Sequence, residues 1–293
     1  MNNVSAAAIP AEKSRSINRA SFGQKAQSLL LGGAVKVAAG ITLLSLLSII
    51  IYILYKGIPN LSLDLFAPEY TTENVSLFPA LVNTVTMTLL SLVIAVPLGV
   101  FSAVYMVEYA KRGNKLVTIV GITTETLSGI PSIVYGLFGY LLFVAQLKWG
   151  YCMMAGALTL SIMILPLIMR TTEEALRSVP DSYREGSFGL GAGKLRTVFR
   201  IVLPSAVPGI LAGVILAIGR IAGETATLIF TAGTVAQIPD SFMGSGRTLA
   251  IHLYALWNEG LAAEQSYATA VVLLVIVVMI NMLSSFIAKK ISK

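Results

Sequence analysis

The chain has 293 residues, of which 56% are hydrophobic and only 12% charged, with a mean hydropathy of +0.81. A soluble domain carries roughly a quarter charged residues, so this chain has too little polar material to cover its own surface and reads as an all-α integral membrane protein. The net charge of +7 follows the alternation of apolar runs and loops rather than one basic face, which argues for a lipid bilayer and against nucleic acid as the partner.

The first 34 residues are mostly polar and read as a cytoplasmic N-terminal segment; the apolar run after them is long enough to span and has no signal-peptide character. Runs able to cross a hydrocarbon layer of ~30 Å fall at 35–55, 77–107, 117–147, 151–169, 206–230 and 267–288. They predict six transmembrane helices, a first one over 35–55 and a core of five over 77–288. The third run is the loosest, because Glu125, Gly129 and Pro131 interrupt it; its first part fits a short separate helix ahead of a span from Pro131. Pro97 and Pro208 are compatible with spans, since neighbouring helices and hydroxyls can satisfy the freed backbone groups.

Lys and Arg are unevenly shared between alternate connections. The N-terminal segment (Lys13, Arg15, Arg19, Lys25, Lys36), the 111–115 connection (Lys111, Arg112, Lys115), the stretch 170–200 and the tail (Lys289, Lys290, Lys293) together hold seventeen, against Lys56, Lys148 and Arg247 on the other side. By the positive-inside rule both termini and the 170–204 segment are predicted to be cytoplasmic. Cys152 and His252 are each the single residue of their type, which excludes an intrachain disulfide framework and a cysteine metal cluster and makes structural burial the ordinary reading of both.

The segment 170–204 is the longest polar insertion on the basic side. Its glycine-rich part, GLGAGKLRTVFRIVLP from Gly189 to Pro204, looks at first like a phosphate cradle. A P-loop needs a glycine five residues before its Gly-Lys and a hydroxyl after it; Phe188 and Leu195 occupy those places here, so nucleotide binding by this stretch is rejected. Instead the segment predicts a helix, a Pro-Asp break, a second short helix around 183–190, a glycine turn and a basic run back to the membrane. The same residues resemble the cytoplasmic motif of ABC-importer permeases: Glu185-Gly186-Ser187, three residues, Gly191, nine residues, then Ile201-Val202-Leu203-Pro204. That resemblance implies a type I importer permease fold whose coupling helix, carrying Glu185, Gly186, Ser187 and Gly191, docks on a separate ATPase subunit. ATP and Mg would be bound by that partner, with no cofactor in this chain.

The fifth run reads AVPGILAGVILAIGRIAGETATLIFTAG and places Arg220 about 20 Å along a continuous helix, past the bilayer midpoint. A charge there costs at least ~3 kcal/mol. Glu224, four residues on, is predicted to share its face and pair with it. The pair is either a neutralised packing lock or a polar point on a transport path, with small residues around it leaving room for a ligand or a close helix. An arginine fork suits a tetrahedral oxyanion, and a carboxylate beside it favours an anion that still carries a proton.

The run GRIAGETATLIFTAG closely resembles the fifth-helix region of phosphate-importer permeases of the PstA type, with Gly219 in place of the usual alanine and Thr227 in place of the usual proline. RTTEEALRSVPDSYREG, PSIVYGLFGY and TLAIHLYALWNEG extend the likeness, which covers about 77 to the end. It implies a subunit that imports inorganic phosphate with a second related permease, two ATP-binding subunits and an external phosphate-binding protein, in a bacterial or archaeal plasma membrane. Arg220 and Glu224 would line the phosphate path. The external segments 56–76 and 231–266, with Met243, Tyr254 and Trp257 as apolar anchors or as a membrane-surface helix, would face the binding protein. Import of another oxyanion and a gradient-driven secondary transporter are the competing readings. An intramembrane enzyme finds no nucleophile with its base and no ligand set.

Overall fold

A computed structural model describes residues 22–111, 113–260 and 262–291. The sequence-based reading of 1–21 as cytoplasmic, with Lys13, Arg15 and Arg19, and the contributions of Arg112 and Lys293 to the charge count lie outside the described residues. Every regular element among the described residues is a helix. The chain divides into two compact units between Tyr52 and Ile53.

The first unit is the body of α1 (Phe22–Gly57). Its large side chains, among them Leu30, Leu44 and Ile51, are exposed, and apolar residues occupy the whole circumference, as a lipid-facing span requires.

In the second unit, α2 (Phe78–Val104) is extended by a π-helical turn over Tyr105–Tyr109. α3 (Lys115–Ser128) starts on Asn114, whose side chain accepts from Leu116 N at 2.9 Å. α4 (Ser132–Gly139) continues as a π-helical stretch over Tyr140–Gln146. The third apolar run is therefore two helices meeting at 105°. Gly129 ends the first and Pro131 cannot continue it, since its ring removes a donor and pushes the preceding residue out of helical conformation. Among the described residues five helices are long and apolar enough to cross a membrane, or six if the bent pair is one span.

α5 (Met153–Arg177) runs two turns past the predicted end at 169. After it come α6 (Asp181–Gly189) and the one-turn α7 (Lys194–Thr197), which passes through a π-helical turn (Val198–Val202) into α8 (Leu203–Ala222). Lys194 to Ala222 is thus one helical run of 29 residues. Contrary to the sequence-based expectation of a continuous span over 206–230, α8 stops at Ala222, and α9 (Ala226–Ile229) follows as a single turn. α10 (Leu249–Glu259) and α11 (Ala263–Ile291) complete the chain.

The core forms where α2, α5 and α8 meet, around Met87, Leu160, Ile164, Ile168, Ala217 and Ile221. Gly209 and Gly213, one helical turn apart on α8, lie against Ala175 and Thr171, one turn apart on α5; a Cβ on either glycine would overlap those side chains. This is small-residue packing, which matters in lipid because close van der Waals contact replaces the hydrophobic drive between helices. A second cluster, with Val104, Leu176, Val179, Val198 and Val202, ties the ends of α2 and α5 to the start of the α7–α8 run.

Candidate functional site

Two helix breaks meet in the bundle and build the site. α8 ends at Ala222 with Gly223 as its C-cap, which puts Arg220 in its last turn and Glu224 beyond its end. The sequence-based pairing of Arg220 with Glu224 on one helical face is corrected accordingly: among the described residues no ion pair joins them. Arg220 is exposed, whereas Glu224 is buried at 9% exposure. The Glu224 Oε1 accepts from Thr227 N at 3.1 Å. It thus acts as the cap of α9, satisfying a backbone donor left without an intrahelical partner.

The other break lies between α3 and α4. Tyr135 spans it, donating its hydroxyl to Leu127 O at 2.8 Å. Thr227 ties the breaks together, its hydroxyl donating to Ser132 O at 3.0 Å. Beside them is an open apolar groove of about 660 Å³, with Thr225, Ala226 and Phe230 on one wall and Tyr254 and Trp257 of α10 on another.

The predicted docking segment takes the expected form, a short helix followed by Gly191 in left-handed conformation at φ +82, a geometry that glycine adopts without Cβ strain. Glu185 and Gly186 are exposed. Ser187 is turned inward instead: it is 5% exposed and its hydroxyl bonds that of Thr197 at 2.8 Å. Its small size closes α6 onto α7 rather than presenting a surface. Tyr183, Phe188, Leu190 and Leu195 are the large exposed residues here. Lys194, the lysine of the rejected phosphate cradle, places its Nζ 5.2 Å from the centre of the Tyr109 ring.

Sequence reasoning did not find the ion pair of Arg184 with Glu108, at 2.7 Å, because the two are 76 residues apart in sequence. Nor did it find the role of Arg247, counted only as a loop charge. Arg247 is 4% exposed and lies over the Tyr70 ring at 4.6 Å. His252 is fully buried near it, and burial, then the Arg247 charge, push its pKa down to about 3. Met243, Tyr254 and Trp257 are about half exposed, and Trp257 packs edge-on against Tyr267. Among the described residues no group of His, Cys, Asp and Glu could hold a metal ion. Cys152 is buried, and its Sγ accepts from Ala155 N at the start of α5.

Residues 95–293 match the family described as binding-protein-dependent transport system inner membrane component. The chain is 34% identical to the probable ABC transporter permease protein YqgI of Bacillus subtilis (strain 168), covering 83% of this chain and 87% of that one. It is 36% identical to the phosphate transport system permease protein PstA of Pasteurella multocida (strain Pm70), over 77% and 83%, and 35% identical to PstA of Yersinia pestis, over 80% and 81%. Among solved structures, a chain of the bacterial alginate ABC transporter in complex with alginate pentasaccharide-bound periplasmic protein superposes with a TM-score of 0.68, 17% identity and coverage of 91% and 96%. A chain of the inward-facing MetNI methionine ABC transporter gives 0.58 at 21% identity, over 74% and 94%. At these identities the structures speak for the fold, which is that of importer permeases.

Proposed function

Because the chain belongs to the family of binding-protein-dependent transport system inner membrane components, we propose that it is the permease subunit of an ATP-driven importer of inorganic phosphate. The observation that carries the substrate is the placing of a guanidinium, Arg220, and a buried carboxylate, Glu224, at the meeting of two broken helices. An arginine edge grips two oxygens of a tetrahedral anion. A monoprotonated phosphate has a hydrogen to give the carboxylate; sulfate has none at neutral pH and meets repulsion there. The PstA relatives support the same substrate, while the more general description of the Bacillus relative keeps another oxyanion as the alternative.

In this reading a second related permease completes the path on the open side, two ATP-binding subunits hold ATP and Mg, and an external phosphate-binding protein delivers the substrate. Both termini and α6 face the cytoplasm, as the distribution of Lys and Arg supports. Glu185, Gly186 and the exposed side chains beside them contact the ATP-binding subunit, while Ser187 and Gly191 shape that contact from within. The helical run from Lys194 to Ala222, about 43 Å at 1.5 Å per residue, is a continuous lever from that contact to the Arg220 turn.

The testing experiment is uptake of labelled phosphate into proteoliposomes holding the assembled transporter, with and without ATP and with sulfate as competitor. ATP-dependent uptake insensitive to sulfate is expected. ATP-dependent sulfate uptake would keep the architecture and replace the substrate, and gradient-driven uptake by this chain alone would overturn the importer reading.

A further inference from the structure

We propose that Thr227 is a positioning residue of the substrate path, holding Glu224 and the first turn of α4 in register so that one carboxylate oxygen is reserved for the substrate. The proposal rests on the phosphate reading above.

Thr227 is fully buried and is bound to three elements at once. Its N–H donates to Glu224 Oε1 at 3.1 Å, and its hydroxyl donates to Ser132 O at 3.0 Å, across 95 residues of sequence. The same hydroxyl lies 3.7 Å from the Met163 sulfur of α5. A hydroxyl has one hydrogen to give, and the carbonyl is the stronger acceptor, so the bond to Ser132 is the fastening and the sulfur is a packing neighbour. Below it, Thr231 donates its hydroxyl to Thr227 O at 2.8 Å, which keeps the turn closed. Gly136 of α4 packs on the same backbone: a Cβ there would stand 2.9 Å from Thr227 Cα and from Ala226 O. The α8–α9 break and the α3–α4 break are thus fastened through one side chain.

The consequence falls on Glu224. With Oε1 engaged by the Thr227 N–H, Oε2 is the acceptor left for a proton-bearing oxyanion. Its distance from Arg220 is set by where Thr227 is held. Binding sites of this kind lose function steeply when a group shifts by about 1 Å.

Thr227→Val removes the hydroxyl but keeps shape and N–H; Thr227→Ser keeps the hydroxyl. In proteoliposomes of the complete transporter, Val is expected to raise the KM for phosphate about tenfold with the amount of assembled transporter unchanged, and Ser to stay within about twofold of the parent. A Val variant with unchanged KM would overturn the proposal. So would equal losses in Val and Ser, or a loss explained by less assembled transporter, which would make the hydroxyl a packing bond only. A parent transporter that moves no phosphate would overturn the phosphate reading and this proposal with it. A phosphate-transporting parent with an indifferent Val variant overturns the positioning role alone.

Discussion

The guanidinium of Arg184 lies 2.7 Å from the carboxylate of Glu108, with the two side chains only 16% and 8% exposed. Arg184 also donates to Leu176 O at 2.9 Å and Val179 O at 2.8 Å. One side chain therefore joins α6 to the π-helical end of α2 and to the last turn of α5. The hydrogen bond to Glu108 raises the pKa of Arg184 above its ordinary value, which keeps the guanidinium charged. In the proposed transporter this is the contact through which a push on α6 reaches two membrane helices.

Glu108→Gln leaves the mostly buried Arg184 charge with only the exposed Asp181 carboxylate, 3.1 Å away, as counter-charge. Removing one partner of such a pair typically costs about 3 kcal/mol, somewhat less here because of the residual exposure. Thermal unfolding of the purified protein in detergent is expected to show a clear drop. ATP hydrolysis by the assembled transporter is expected to respond less to substrate delivery, which a purely local destabilisation would not cause.

Glu185 and Ser187, two residues apart, should behave in opposite ways. Glu185 is exposed, so Glu185→Lys is expected to leave the unfolding midpoint unchanged and to weaken co-purification of the ATP-binding subunit. Ser187 is buried against Thr197. Ser187→Val overpacks that contact and should lower stability by about 1–3 kcal/mol. Unchanged co-purification with Glu185→Lys would count against the docking assignment.

Gly213 faces Thr171 with no room for a side chain. Gly213→Val is expected to force α8 from α5 and reduce the yield of folded protein, at a cost of about 1–3 kcal/mol or more. Gly186→Ala meets open space and should be tolerated. Comparing the two by detergent-solubilised yield separates a packing requirement from a general intolerance of glycine replacement.

His252 should make stability depend on pH. With its pKa lowered to about 3 in the folded protein and near 6.5 when unfolded, the unfolded chain takes up the proton first. Nothing is lost above pH 6.5. Between pH 6.5 and about 3 stability falls with decreasing pH, by up to about 1.4 kcal/mol per unit. His252→Gln is expected to flatten that part of the profile, measured as the difference in unfolding midpoint between parent and variant. Parallel profiles would show that the imidazole is not held neutral.

The apolar helices and the short α6 with its glycine turn were legible because each is written locally: apolar runs of spanning length, and a glycine at a fixed distance from Glu185. The bend at Gly129 and Pro131 was visible as a possibility for the same reason. What was misjudged depended on contacts between distant residues. Arg220 and Glu224 read as a helical pair because the apolar run continues unbroken to Phe230; only the capping of α9 by Glu224 and the bond from Thr227 to Ser132 show why the helix ends earlier. The contact of Ser187 with Thr197, ten residues on, was likewise not visible in the sequence. Arg184 with Glu108 and Arg247 over Tyr70 join segments whose meeting nothing local announces.

The central claim, that the Arg220 region is the oxyanion path of a phosphate importer, is tested most directly by Arg220→Gln in the complete transporter reconstituted into proteoliposomes. The account predicts that ATP-dependent phosphate uptake is abolished while the subunits still assemble in normal amounts, since Arg220 makes no ion pair among the described residues. Normal uptake in the variant, or loss of uptake only because the complex fails to assemble, would contradict it.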